Sequence, residues 1–120
     1  MVYFLKRLKY RIIWSWSGLV ATWRGEHSFR TWVWANVISG GLALWLPLAT
    51  SERALILALG ILVLAAELLN TAIEHAVDYI STEKNELAGR AKDAGSAGVA
   101  ITAIAAGVAW VVVLVGLAGG

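Results

Sequence analysis

Long uncharged stretches in this chain are separated by short stretches where charge collects. From Thr31 to Ser51 no residue is charged. At about 1.5 Å of rise per helical residue, such a run is long enough to cross a hydrocarbon layer of about 30 Å. Pro47 and the Thr50–Ser51 pair predict a turn at its end. A second apolar run opens at Ala54 and meets its first charge at Glu67, too soon to span alone. Its helical period nevertheless continues through Leu68, Leu69, Ala72, Ile73, Ala76, Val77 and Ile80. The third run, Ala94 to Ala118, is uncharged and rich in Gly, Ala and Ser, residues that let helices approach closely in lipid. Ahead of all three, Leu5, Leu8, Ile12, Trp16, Leu19 and Trp23 recur every three or four positions beside Lys6, Arg7, Lys9 and Arg11. That is the pattern of an amphipathic helix lying on an anionic leaflet. The predicted fold is an all-α membrane protein forming one domain over 1–120. It has a surface helix over 1–25 and three transmembrane helices over 29–48, 54–80 and 92–118.

Composition narrows the class. Hydrophobic residues make up 59% of the chain and charged residues 15%, against about a quarter charged in an ordinary soluble domain. One soluble core of this size could not hide that excess. Seven Trp and three Tyr suit rings placed at headgroup level. With no Cys, disulfides and thiolate metal sites are excluded. The basic start lacks a small-residue cleavage site, so no cleavable signal is expected. Lys6, Arg7, Lys9, Arg11, Arg24 and Arg30 precede the first span, and Lys84, Arg90 and Lys92 lie between the second and third. Only Arg53 lies in the opposite turn. The positive-inside rule then puts the N-terminus and the 81–93 loop in the cytoplasm and the C-terminus outside.

The candidate chemistry sits on the second span. Glu67, Asn70, Thr71, Glu74 and Asp78 fall within about 100° of helix circumference, leaving the opposite face apolar. If the span starts near Ala54, it reaches the cytoplasmic boundary near Ile73, which leaves Glu67 roughly 9 Å inside. Glu26 reaches the same boundary from ahead of the first span. An acid as deep as Glu67 costs up to ~2.5–3.5 kcal/mol and should have a partner or a task. The bland reading is a helix-packing hydrogen bond, which one polar residue would satisfy without three acids and an Asn. Clustered acids beside Lys and Arg suit phosphoryl transfer to an alcohol. Two can hold Mg2+, another can accept the hydroxyl proton, and Lys92 with Arg7 can neutralise phosphates. No Walker-type glycine loop or protein-kinase signature is present. His27 and His75, beside Glu26 and Glu74, are read as interfacial hydrogen-bonding groups, and Asn36 as an interhelical hydrogen bond.

The run Glu67-Leu-Leu-Asn70-Thr71-Ala72-Ile73-Glu74, then Asp78, then Gly89-Arg90-Ala91-Lys92-Asp93-Ala94-Gly95-Ser96, resembles the signature of prokaryotic diacylglycerol kinases. Ser15-Trp16-Ser17-Gly18-Leu19 with Trp23, Glu26, Phe29 and Arg30 extends the similarity over nearly the whole chain. The resemblance implies a homotrimer with active sites shared between subunits at the cytoplasmic face. It implies phosphorylation of diacylglycerol to phosphatidic acid, with ATP as co-substrate and Mg2+ as cofactor. By resemblance Glu67 is the general base, and Glu26 and Glu74 hold the metal. Arg7, Asn70, Asp78, Lys92 and Asp93 line the nucleotide and phosphate site, and Ser96 and Trp110 are candidate substrate contacts. Lys84-Asn85 stands where relatives often carry Tyr-His, which bears on adenine contacts. Thr31 and Trp32 replace a polar pair often found at the start of the first span. Alternatives are an undecaprenol kinase with the same chemistry, or a proton-coupled transporter in which Glu67 binds protons and cations in turn.

Overall fold

The computed structural model describes residues 1–120 and is wholly helical. Its elements are α1 (Val2–Gly25), α2 (His27–Trp45), α3 (Thr50–Ile80) and α4 (Glu86–Gly119). The longest dimension, 54 Å, is close to the length of α4 alone at about 1.5 Å per residue.

α3 is the central element. It packs most extensively on α4 and next on α2, while the backbones of α2 and α4 do not approach one another. One hydrogen bond crosses that gap, the Trp110 indole donating to Ser39 Oγ at 2.8 Å. Close approach to α3 relies on glycine on each side. A Cβ at Gly60 of α3 would collide with Asn36 Oδ1 from α2, and one at Gly95 of α4 would collide with Asn70 Oδ1 from α3. Asn36 otherwise donates to the Trp32 carbonyl of its own helix at 3.1 Å. The expected interhelical hydrogen bond is thus an amide oxygen pressed against a glycine.

Eleven of 120 residues are buried, too few for a domain that must exclude water by itself. A small core of Ala43, Leu48, Ile56, Ala109 and Val113 closes the end where α2 turns into α3. Ile61, Leu62, Leu69, Ile101, Ile104, Val108, Val111, Val112 and Val115 stay exposed along the long helices. α3 and α4 are long and apolar enough to cross a membrane, and only 28% and 17% of their most apolar windows are buried inside the molecule. Soluble core helices would be mostly covered, so these exposed apolar faces suit a membrane protein. α2 is shorter, and His27, Arg30, Asn36 and its Trp residues lower its mean hydropathy.

Three local features depart from the sequence expectation. Thr50 and Ser51 form the first turn of α3 instead of the preceding turn, because the Glu52 carboxylate accepts the Ala49 N–H at 2.8 Å and closes the helix start. α4 begins at Glu86, well inside the expected 81–93 loop. Asn85 Oδ1 caps it, accepting from the Leu87 and Ala88 amides at 2.9 and 3.3 Å. α2 ends at Trp45, where Arg53 takes its last carbonyls: Nε donates to Ala43 O at 2.7 Å and Nη2 to Leu46 O at 3.1 Å. The lone basic residue of that turn is therefore a helix cap. Arg53→Met should lower stability by about 1.5–3 kcal/mol, the usual worth of hydrogen bonds from a charged donor. Thermal unfolding in detergent checks this, with the turnover of protein that remains folded unchanged.

Candidate active site

The acidic stripe of α3 makes three different contacts along its length. Deepest is Glu67, 6% exposed, whose Oε2 accepts from the Ser28 hydroxyl of α2 at 3.5 Å. Trp32, one turn further along α2, lies on the same face and is half-buried beside Gly60 and Val63 of α3. One turn nearer the α3 end, Thr71 is buried as well. Asn70 and Glu74 are half-buried and hold each other, Asn70 Nδ2 donating to Glu74 Oε1 at 3.2 Å. The Asn70 oxygen rests against Gly95 and has no hydrogen-bond partner, although it is buried. At the end of the stripe Asp78 is exposed, and Lys92 Nζ of α4 donates to its Oδ1 at 2.6 Å.

Glu26 joins from the corner between α1 and α2. It is the one extended residue separating the two helices. Its Oε1 lies 3.5 Å from His75 Nε2 on α3. Arg30 fixes the corner by donating from Nη1 to the Trp23 and Arg24 carbonyls at 2.5 and 3.2 Å, which caps α1. Glu74 follows Glu67 by two turns on the same face of α3, and Glu26 reaches α3 at His75. Three acids from two helical segments thus share one end of the bundle, beside the Asp78–Lys92 pair.

Not every candidate is drawn in. Arg7 partners only within α1, its Nη1 donating to the Tyr3 hydroxyl at 3.4 Å with the guanidinium 5.8 Å from the Tyr3 ring centre. Asp93 and Ser96 are exposed on the first turns of α4. Trp110 is occupied by Ser39 and serves α2–α4 packing. Asn85 spends its side-chain oxygen on capping α4, leaving only its amide donors free.

Three cavities lie around this end of the bundle, two of them reaching an acid of the site, Glu26 in one and Asp78 in the other. A groove of about 910 Å³ runs beneath α1, lined by Gly18, Thr22, Glu26, Leu68, Thr71 and His75 among others. A cavity of about 500 Å³ at the α3–α4 connection is walled by Val77, Ile80, Leu87, Ala88 and Ala91 with Lys84 at its edge. Beside it a polar one of about 440 Å³ includes Asp78, Lys84 and Lys92.

Sequence reasoning took Trp32 and Asn36 singly and missed Ser28, Ser39 and the face they form together on α2. Ser28, Trp32, Asn36 and Ser39 fall within about 80° of the helix circumference, a second polar stripe whose signal was present in the chain.

No three His, Asp or Glu side chains converge into a closed metal cage. Magnesium does not need one: it usually takes one or two carboxylates and completes its shell with phosphate and water. Glu26 and Glu74 each keep an oxygen without a protein partner, so this donor set fits an open site.

The profile of the prokaryotic diacylglycerol kinase family matches residues 13–114. The chain is 43% identical to the diacylglycerol kinase of Escherichia coli K12 over 100 residues, covering 83% of this chain and 82% of that one. It is also 43% identical to the diacylglycerol kinase of Pseudomonas aeruginosa over 114 residues, covering 93% and 91%. The Haemophilus influenzae diacylglycerol kinase is 41% identical over 96 residues, covering 80% and 81%.

Burial of Glu67 yields a stability prediction that is independent of turnover. A Gln oxygen can accept from Ser28 without the cost of burying a charge. Glu67→Gln should therefore unfold in detergent no earlier than the parent protein. A loss of more than about 1 kcal/mol, the usual net worth of a hydrogen bond, would mean the carboxylate itself holds the bundle together.

Proposed function

The chain belongs to the prokaryotic diacylglycerol kinase family, and from that premise we propose that it phosphorylates diacylglycerol to phosphatidic acid at the membrane surface, with ATP as co-substrate and Mg2+ as cofactor. The observation that carries this reading is the buried Glu67 carboxylate on a stripe that runs from apolar depth to an exposed cation pair. Phosphoryl transfer needs a proton acceptor within reach of a lipid alcohol and cations within reach of a water-soluble nucleotide. Glu67 supports the first requirement, and Lys92 the second.

In this proposal Glu67 accepts the proton of the free hydroxyl as its oxygen attacks the terminal phosphate of ATP, and the bond to the bridging oxygen breaks so that ADP leaves. The groove beneath α1 takes the lipid, since it is open, largely apolar and reaches Glu26 and Thr71. The cavities at the α3–α4 connection take the nucleotide. The apolar wall of Val77, Ile80 and Leu87 suits a base, and the polar side with Lys92 suits phosphates. Lys92 is held by Asp78 in the ligand-free chain. Such an exposed pair is worth only about 0–1 kcal/mol, so the ammonium can turn to phosphate at little cost. Glu26 and Glu74 would hold Mg2+, with Asn70 restraining Glu74. When bound, the metal would neutralise the phosphate oxygens. Ser96 and Asp93, exposed nearby on α4, are kept as outer contacts of this site.

The proposal includes three membrane crossings by α2, α3 and α4, with α1 lying on the leaflet that its basic face would meet. The charge distribution supports a cytoplasmic N-terminus and an external C-terminus in the inner membrane. It also includes a homotrimer with shared active sites. Arg7 supports sharing, because within one chain it reaches none of the acids and a neighbour's acids could engage it.

The decisive experiment incubates detergent-purified protein with labelled ATP, magnesium and either diacylglycerol or undecaprenol. Label in phosphatidic acid is expected; label in the polyprenyl product alone would change the substrate, and none in either would reject the kinase. Glu67→Gln should retain ATP binding and lose about 10²–10⁴-fold in turnover, the usual worth of a general base; near-normal turnover removes it from that role. Glu74→Gln should raise the magnesium concentration needed for half-maximal rate by about tenfold, one charge-assisted contact. An unchanged magnesium dependence would exclude Glu74 from the metal site.

A further inference from the structure

Glu67 is nearly inaccessible, yet no Lys, Arg or backbone amide bonds to it. The groups that meet it are neutral and come from one helix. Ser28 donates its hydroxyl, and Trp32, four residues later and so on the same face of α2, is half-buried beside Gly60 and Val63 of α3. Neutral donors orient a carboxylate without cancelling its charge, whereas a lysine would both neutralise it and occupy the oxygen a substrate proton must reach. The remaining acids, Glu74 and Glu26, have partners of their own in Asn70 and His75 and offer Glu67 no donor. Left with those neighbours alone, the Glu67 side chain would be free to rotate away from its partners in apolar surroundings.

We infer that Ser28 and Trp32 are positioning residues for Glu67, fixing one face of its carboxylate from α2 so that the other faces the lipid hydroxyl. This rests on the reading of Glu67 as the proton acceptor. It adds α2 as the element that sets the acceptor's aim, so the base lies on one helix and its orientation is decided by another. Trp32 has a second function in the same place. It also lines a small cavity of about 140 Å³ among Asn36, Gly60 and Trp110, deeper between the helices.

Ser28→Ala, Ser28→Thr, Trp32→Phe and Glu67→Asp, assayed in mixed micelles with ATP and diacylglycerol, test the inference. Ser28→Ala and Trp32→Phe should each lower kcat by about tenfold, the worth of one hydrogen bond to a charged group, with both KM values within about twofold. Ser28→Thr, which keeps the hydroxyl, should recover most of that loss. In Glu67→Asp the carboxylate is one methylene shorter and out of reach of Ser28, so adding Ser28→Ala should change nothing further. Full kcat in Ser28→Ala, a loss confined to KM, or an equal loss in the Glu67→Asp background would each overturn the assignment. Should Trp32→Phe unfold, the two Ser28 variants decide the question by themselves. Normal turnover in Glu67→Gln would defeat the proton-acceptor reading itself, an outcome separate from any Ser28 result.

Discussion

Placing a carboxylate inside an apolar helix face constrains everything packed around it. Glu67 needs hydrogen-bond donors, and in a membrane water cannot supply them freely. The donors must come from a neighbouring helix at side-chain distance, which sets how closely α2 and α3 approach and in what register. Gly60 on α3 allows that approach deeper down, where Asn36 presses against it. Gly95 plays the same part on the other side of α3, where Asn70 meets α4. The helix carrying the acids is thus flanked by two partners, each held close by an amide against a glycine. The polar chemistry and the packing use the same contacts.

The three contacts of the stripe differ in how firmly they are made. Glu67 is enclosed, Glu74 and Asn70 brace one another at half burial, and Asp78 pairs with Lys92 in the open. This gradient follows the sequence directly: each turn of α3 toward Ile80 moves a carboxylate further from the apolar interior. A substrate with fatty chains and a substrate with phosphates need opposite surroundings, and α3 offers both within a few helical turns.

Much of this was readable before any coordinates, and the reasons differ by element. The stripe from Glu67 to Asp78 is legible because helical period is a local property. α1 was legible for the same reason, its apolar face repeating from Leu5 to Trp23. The start of α4 was not, because a cap is decided by one side chain: Asn85 adds two turns that loop-like composition hides. Thr50 and Ser51 misled because Pro47 dominated the reading, although Glu52 was the stronger signal. The α2 face of Ser28, Trp32, Asn36 and Ser39 escaped because a serine and a tryptophan look neutral until an acid is placed opposite them. Which helix that would be is a tertiary fact. Arg7 shows the converse, since its type and region suit a phosphate while its partners lie within its own helix.

The joint at Glu26 has a mechanical consequence. A single extended residue links two rigid rods, and the Arg30 guanidinium grips the end of the first from the start of the second. The corner therefore has almost no slack. Any change in the angle between the two rods is felt at the glutamate that joins them.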